Sequence, residues 1–219
     1  MSRRPFVVFD LDGTLIDGYA AIGDALAYAM ARLGEPAPAP EVVRAMVGHG
    51  LESLLEQAVG PARAAEGVRL FRERYPDVAV ERSHLVAGAR ETLEALAAAG
   101  HSMALASNKP ARFSRMILDA KGVAHHFAGI GGPDEATPAK PDPTMLRRLI
   151  ADAGARAEET VVVGDMEVDF EFGRAAGCAV VLVPGGSRPR EALEALGPDA
   201  LLDRISDLPA VLAAFAGRK

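Results

Sequence analysis

The stretch FVVFDLDGTLID, residues 6–17, runs four apolar residues straight into Asp10 and Asp12, two carboxylates with one leucine between them. Asp12-Gly13 is a strong hairpin signal, but a hairpin needs a second strand directly after the turn. The chain instead continues as TLIDGYAAIGDALAYAM, which turns helical within a few residues. The stretch therefore reads as a buried strand that ends in a polar loop ahead of a helical segment. In an open α/β sheet, ligand sites lie just beyond the carboxyl ends of the strands, so the two aspartates mark the edge to inspect.

Further short apolar runs recur along the chain: MALA at 103–106, VVV at 161–163 and AVVLV at 179–183. Runs that are apolar on both faces fit strands buried in a parallel sheet. Amphipathic segments lie between them. Phe113, Met116, Ile117 and Ala120 follow helical spacing, as do Leu146, Leu149, Ile150 and Ala153. Asp142-Pro143 reads as a helix start, and Gly100 and Gly177 stand where helices stop. Strand and helix alternate from about residue 85 onward, which predicts a doubly wound α/β sheet. Residues 18–84 break the rhythm with helical patterns and no convincing strand. They predict a helical insertion after the first strand, with residues 1–17 and 85–219 forming the core.

The bulk properties exclude several classes. A chain of 219 residues that is 49% apolar carries a full core. Its net charge of −6 argues against nucleic acid, whose phosphates are held by clustered Lys and Arg. No apolar stretch approaches the length of a membrane span, and Asp10 cuts short the apolar run near the N-terminus, so a cytoplasmic protein is expected. The single cysteine, Cys178, cannot form an internal disulfide and reads as a small buried hydrophobe.

The other strand ends also carry chemistry. MALA is followed by Ser107, Asn108 and Lys109; VVV is followed by Gly164 and Asp165, with Asp169 four residues on; and Lys140 stands in the loop TPAKPDP. Parallel topology brings such ends to one edge, so Asp10, Asp12, Ser107, Lys140, Asp165 and Asp169 are expected to converge. Crowded carboxylates repel one another unless a cation sits among them. The hard-oxygen donor set points to Mg²⁺, which also takes substrate phosphate. The five histidines offer no zinc-like pattern, since His125 and His126 are merely adjacent. Carboxylates, a divalent ion, a lysine and a serine suit a phosphoryl group. Asp10 then serves as nucleophile and Asp12 as acid and base.

Four stretches carry a resemblance: DLDGTLID at 10–17, SNK at 107–109, KPDP at 140–143 and GDMEVDFEFGRAAG at 164–177. In their order they resemble the four motifs of haloacid dehalogenase-like hydrolases, over nearly the whole chain. The resemblance implies a Rossmann-like core with a helical cap at 18–84. It also implies Ser107 and Lys140 on phosphate, with Asn108 and Thr14 as neighbours. Mg²⁺ would be held by Asp10, the Asp12 backbone carbonyl and Asp165, with Asp169 as a ligand or supporter. Asp12 separates the chain from the dehalogenases, which lack it. The absence of lysine from 18–84 argues against the branch that forms a Schiff base on a cap lysine.

Within the superfamily the chain looks most like phosphoglycolate phosphatases, carried by VGHGLESLLEQAVG in the cap and by KPDP. Relatives with similar caps hydrolyse pyrophosphate, nucleotides or sugar phosphates, and these stay as alternatives. His49 in the GHG of that cap phrase is the candidate specificity residue, beside its alternative as part of an interhelix turn. The expected partner is a small phosphorylated metabolite, with the protein acting as a monomer or homodimer. A phosphoacceptor signalling module is the rival of another class, disfavoured by Asp12 and by the helical insertion.

Overall fold

In the computed structural model, which describes residues 4–133 and 137–216, the first strand β1 (Phe6–Phe9) is central in a six-stranded parallel sheet. Its neighbours are β4 (Met103–Ala106) on one side and β6 (Thr160–Gly164) on the other. The strands β5 (Gly129–Gly131), β7 (Ala179–Leu182) and β8 (Ala200–Leu201) complete the order β5-β4-β1-β6-β7-β8. Chain order reverses across β1, which makes the carboxyl edge of β1 the switch point where such sheets bind ligands.

Burial on both faces explains the unbroken apolar runs. Val7, Phe9, Leu105, Val161, Val163 and Val181 point to one layer, where they join Leu93 of α5 (Ala89–Ala98), Ile117 of α6 (Ala111–Ala120) and Leu208 of α10 (Leu208–Ala216). Phe6, Val8, Ala104, Val162 and Val180 point to the other. There they meet Leu149 of α7 (Thr144–Asp152), Phe172 of α8 (Glu167–Ala175) and Leu193 of α9 (Arg190–Ala195). This is the doubly wound α/β architecture expected from the alternation.

Between β1 and this layered region the chain forms β2 (Ile16–Asp17), α1 (Tyr19–Leu33), α2 (Pro40–Met46), α3 (Leu51–Val59), α4 (Pro61–Val78) and β3 (His84–Leu85). Strand β2 does pair antiparallel, with β3 rather than with β1, so the two ends of the helical segment are tied at its root. Apolar residues of these helices, among them Leu26, Leu55 and Phe71, continue the cluster on one face of the sheet.

Several boundaries differ from the sequence reading. The strands β5 and β8 were not expected, because GIG and AL carry too little apolar signal to stand out from a loop. Cys178 is buried, as expected, one residue ahead of β7. Helix α7 begins at Thr144, with the Asp142 carboxylate accepting its backbone N–H at 2.9 Å, so Asp142 acts as expected with Pro143 still ahead of the first turn. The helix stops at Gly100 and Gly177 hold, both with positive φ.

Helix α8 lies unusually close to the sheet at Gly173, where a Cβ would stand 2.5 Å from Val180 Cγ2 and 3.2 Å from Val162 Cβ. Neither strand neighbour can yield without shifting the sheet. Gly173→Ala is expected to destabilise the fold by about 1–3 kcal/mol through overpacking, read as a lower midpoint in urea unfolding with an unchanged slope.

Candidate active site

The loop after β1 is shaped by Gly13, whose φ of +91° is strained for any other residue. Its N–H donates to the Ile16 carbonyl at 2.8 Å, folding residues 11–16 into a tight turn. A Cβ at Gly13 would fall 2.4 Å from Asp165 Oδ2, so the turn also needs the missing side chain to let β6's carboxylate approach.

Six of the sequence-predicted residues meet at this edge. Asp10 follows β1, Ser107 and Asn108 follow β4, and Asp165 follows β6, with Asp169 in the first turn of α8. Lys140 reaches in from its loop, donating from Nζ to Asp10 Oδ1 at 2.6 Å, Asp169 Oδ1 at 2.7 Å and the Ala106 carbonyl at 3.0 Å. Asp169 Oδ2 meanwhile accepts the backbone N–H groups of Asp165 and Met166 at 3.2 Å each. Asp169 thereby holds both the start of α8 and the lysine.

Asn108 acts as a clamp. Its Oδ1 accepts the Lys140 N–H at 2.7 Å, and its Nδ2 donates to the Lys140 carbonyl at 3.2 Å and to the Gly48 carbonyl at 2.9 Å. One side chain thus joins the β4 loop, the lysine loop and the helical segment. Ser107 Oγ accepts the Lys109 N–H at 3.2 Å and lines the cavity. Thr14 Oγ1 donates to Asp165 Oδ1 at 3.0 Å.

Oxygens of Asp10, Asp165 and Asp169 lie within 4.8 Å of one another, a spacing suited to a metal ion. Asp165 Oδ2 is buried without a hydrogen-bond partner, and Cβ atoms at Gly13 and Gly186 would both collide with it. The two glycines let the backbone close in on an unpartnered carboxylate oxygen, and such an oxygen is a ligand suited to a hard cation. Charge agrees: Lys109 pairs with Asp12 and Lys140 with Asp10 and Asp169, so the four carboxylates outnumber the two ammonium groups and a cation would relieve their repulsion.

Lys109 is the residue that sequence reasoning left without a role. It follows two residues after Ser107, and nothing in SNK says that its side chain turns inward. Its Nζ lies 2.6 Å from Asp12 Oδ2 and 2.8 Å from Oδ1, almost fully buried. Burial raises the Asp12 pKa above the ordinary carboxylate value, and Lys109 pulls it partway back. Desolvation likewise raises Asp165 well above the ordinary value, with Asp10 and Asp169 adding like charge. Asp169 is pushed up to about 6 by burial, against the pull of Lys140.

A cavity of about 90 Å³ separates this edge from the helices, lined by Asp10, Asp12, Ser107 and Lys140 on one side and by Gly48, Leu54, Phe71 and Tyr75 on the other. His49 is not part of that lining. Its Nε2 lies 3.6 Å from Glu167 Oε1, beside the Arg188–Glu167 ion pair, while its neighbours Gly48 and Gly50 border the cavity. Among the arginines of residues 18–84, Arg44 donates to the Gly185 and Gly186 carbonyls at 3.4 and 3.3 Å and stacks over the Tyr19 ring, binding α2 to the loop after β7. Arg63, Arg69 and Arg74 pair with Glu35, Glu73 and Asp24 at the surface, and Arg72 pairs with Glu52.

The comparisons agree with this geometry. Residues 7–183 match the family model of haloacid dehalogenase-like hydrolases, and the chain belongs to that family and is a phosphatase. It is 35% identical over 220 residues to the phosphoglycolate phosphatase of Vibrio parahaemolyticus, covering 96% of each chain. It is 33% identical over 213 residues to that of Photobacterium profundum, covering 93% of each. A crystal structure titled a predicted phosphoglycolate phosphatase from Haemophilus somnus superposes with a TM-score of 0.88 at 28% identity, covering 96% of this chain and 99% of that one. A family hydrolase from Deinococcus radiodurans, solved with bound phosphate and sodium, superposes at 0.76 with 25% identity, covering 99% and 98%. No helix among the described residues is long and apolar enough to cross a membrane.

The raised carboxyls set a pH dependence. A carboxyl whose folded pKa exceeds its unfolded one binds protons more tightly when folded, so its stabilising contribution is complete below the unfolded value and is lost as pH rises through the folded one. With Asp169 at about 6 and Asp165 raised, the metal-free protein is expected to melt at higher temperature near pH 5 than near pH 7.5. Asp165→Asn, uncharged throughout, is expected to shrink that difference. Thermal melts of both proteins in chelator check it, and equal pH slopes would contradict it.

Proposed function

We propose that the protein hydrolyses a small phosphate monoester of the phosphoglycolate type, with Mg²⁺ and through an aspartyl phosphate on Asp10. The observation that carries this reading is the placement of Asp10. It lies at the end of the central strand, with Lys140 on its carboxylate and Asp12 beside the same cavity. The relatives named as phosphoglycolate phosphatases support the substrate class.

In the first half-reaction an Asp10 oxygen attacks phosphorus, and the bond from phosphorus to the ester oxygen breaks as Asp12 gives that oxygen its proton. In the second, water attacks the aspartyl phosphate, Asp12 takes a proton from it, the bond from phosphorus to Asp10 breaks, and inorganic phosphate leaves. Ser107 and Lys140 face the phosphoryl oxygens and offset the charge that builds on them, while Asn108 holds the lysine loop in place. Asp10, the Asp12 carbonyl and Asp165 would hold Mg²⁺, with Asp169 in support, and the ion would neutralise phosphoryl charge. Burial, which raises Asp12, favours its protonated form for the first step.

In this reading residues 18–84 are a cap and residues 1–17 with 85–219 the catalytic core. On the same reading the contacts Asn108–Gly48, Arg44–Gly185 and His49–Glu167 join the two, and a cap held against the core limits the access of water to the reacting centre.

Asp10→Asn is expected to lower kcat by about ten-thousand-fold or more while leaving the unfolding transition in place, because an amide is no nucleophile for phosphorus. Substantial residual turnover on every ester tested would contradict the assignment. Chelator is expected to abolish phosphate release and Mg²⁺ to restore it; activity that survives exhaustive chelation would contradict the metal role.

A further inference from the structure

The proposed phosphatase reading leaves open how the cavity recognises the alcohol part of its substrate. We propose that Lys109, assisted by the Tyr75 hydroxyl, is the specificity determinant that receives a carboxylate lying one methylene from the ester oxygen.

Three observations carry this. Lys109 borders the cavity with a nearly buried ammonium whose partner is Asp12, at 2.6 Å. The carboxyl proposed to protonate the leaving oxygen therefore has a cation at its side. A substrate carboxylate one carbon beyond that oxygen would take the one Nζ donor that the two Asp12 oxygens leave over. Tyr75 also borders the cavity. Its hydroxyl is buried beside Lys109, whose Nζ stands 5.3 Å from the ring centre. An ammonium can only donate, so the hydroxyl's own proton has no acceptor there, and a ligand oxygen at this point would supply one.

The remaining wall is apolar: Ile22, Leu54, Phe71 and Phe113 offer contact surface and no side-chain hydrogen bonds. A sugar phosphate buried there would leave hydroxyl groups unpaired, at a cost that disfavours it against a short carboxylate. Arg72 also borders the cavity, but its guanidinium is about half exposed and bound to Glu52 at 2.9 Å, so it is the weaker receptor. His49 lies outside the lining altogether.

The test compares kcat/KM for phosphoglycolate and for ethyl phosphate, which keeps the two-carbon skeleton and has a methyl in place of the carboxylate. The wild type is expected to prefer phosphoglycolate by about 100-fold, Lys109→Met to reduce that preference to a few-fold, and Lys109→Arg to keep most of it. Lys109→Met also leaves Asp12 without its counter-charge, so Tyr75→Phe, which alters no charge, supplies a second readout. It is expected to raise KM for phosphoglycolate about ten-fold and KM for ethyl phosphate much less. A wild type that prefers phosphoglycolate, with a Lys109→Met variant that keeps the preference, overturns the role of Lys109 alone. Equal KM changes on both esters in Tyr75→Phe overturn the role of the hydroxyl. Equal wild-type efficiency on the two esters overturns the carboxylate reading itself, while hydrolysis of neither overturns the proposed reaction.

Discussion

Four carboxylates buried at one edge of a parallel sheet are the constraint around which the rest of the molecule is arranged. Asp10, Asp12, Asp165 and Asp169 are brought together by topology: β1 and β6 are neighbours, and each ends where an aspartate begins the next loop. Left alone, such a cluster would repel itself apart or take up protons. Lys140 answers Asp10 and Asp169 and Lys109 answers Asp12, while Asp165 Oδ2, buried without a hydrogen-bond partner, leaves a place suited to a cation. The loops follow from this. Gly13 turns sharply and leaves room for Asp165, and Asp169 fixes the backbone N–H groups that open α8.

The strands that carry this cluster were legible because a parallel strand buried on both faces has no polar residue to interrupt it, as in FVVF and MALA. Polar residues placed directly after such runs then announce the edge, which is how Asp10, Ser107 and Asp165 could be grouped across more than 150 residues of sequence. What escaped was of another kind. The strands β5 and β8 are short, and their glycine or alanine content hides them. Pairing of β2 with β3 joins residues 16–17 to 84–85 across the whole helical segment, a relation no local pattern reports. Lys109 escaped because a lysine after a strand is ordinarily a solvated residue, and only the buried Asp12 carboxylate draws it inward. The GHG of residues 48–50 drew attention to His49, yet it is the Gly48 carbonyl, held by Asn108, that borders the cavity.

The two faces of the cavity divide the work. The sheet edge is charged and holds the groups that phosphoryl chemistry requires, whereas the helical side is aliphatic and aromatic, with polar groups only where Tyr75 and Arg72 border it. Chemistry that depends on a motif at a strand end is set by the core. In the proposed reading the choice of alcohol rests on both faces, on Lys109 from the sheet edge and on Tyr75 from the helices of residues 18–84. The contacts of Asn108 and Arg44 across this boundary tie the position of the helices to the same loops that carry the reacting groups.

The central claim is that Asp10 carries the phosphoryl group in transit. Its most direct test is an acid quench during single turnover of a substrate labelled at phosphorus, followed by peptide mapping of the protein-bound label. The account predicts transient label confined to the peptide containing Asp10, absent in Asp10→Asn and lost as inorganic phosphate appears. Label on another residue, or phosphate release with no labelled protein when formation outpaces breakdown, would contradict it.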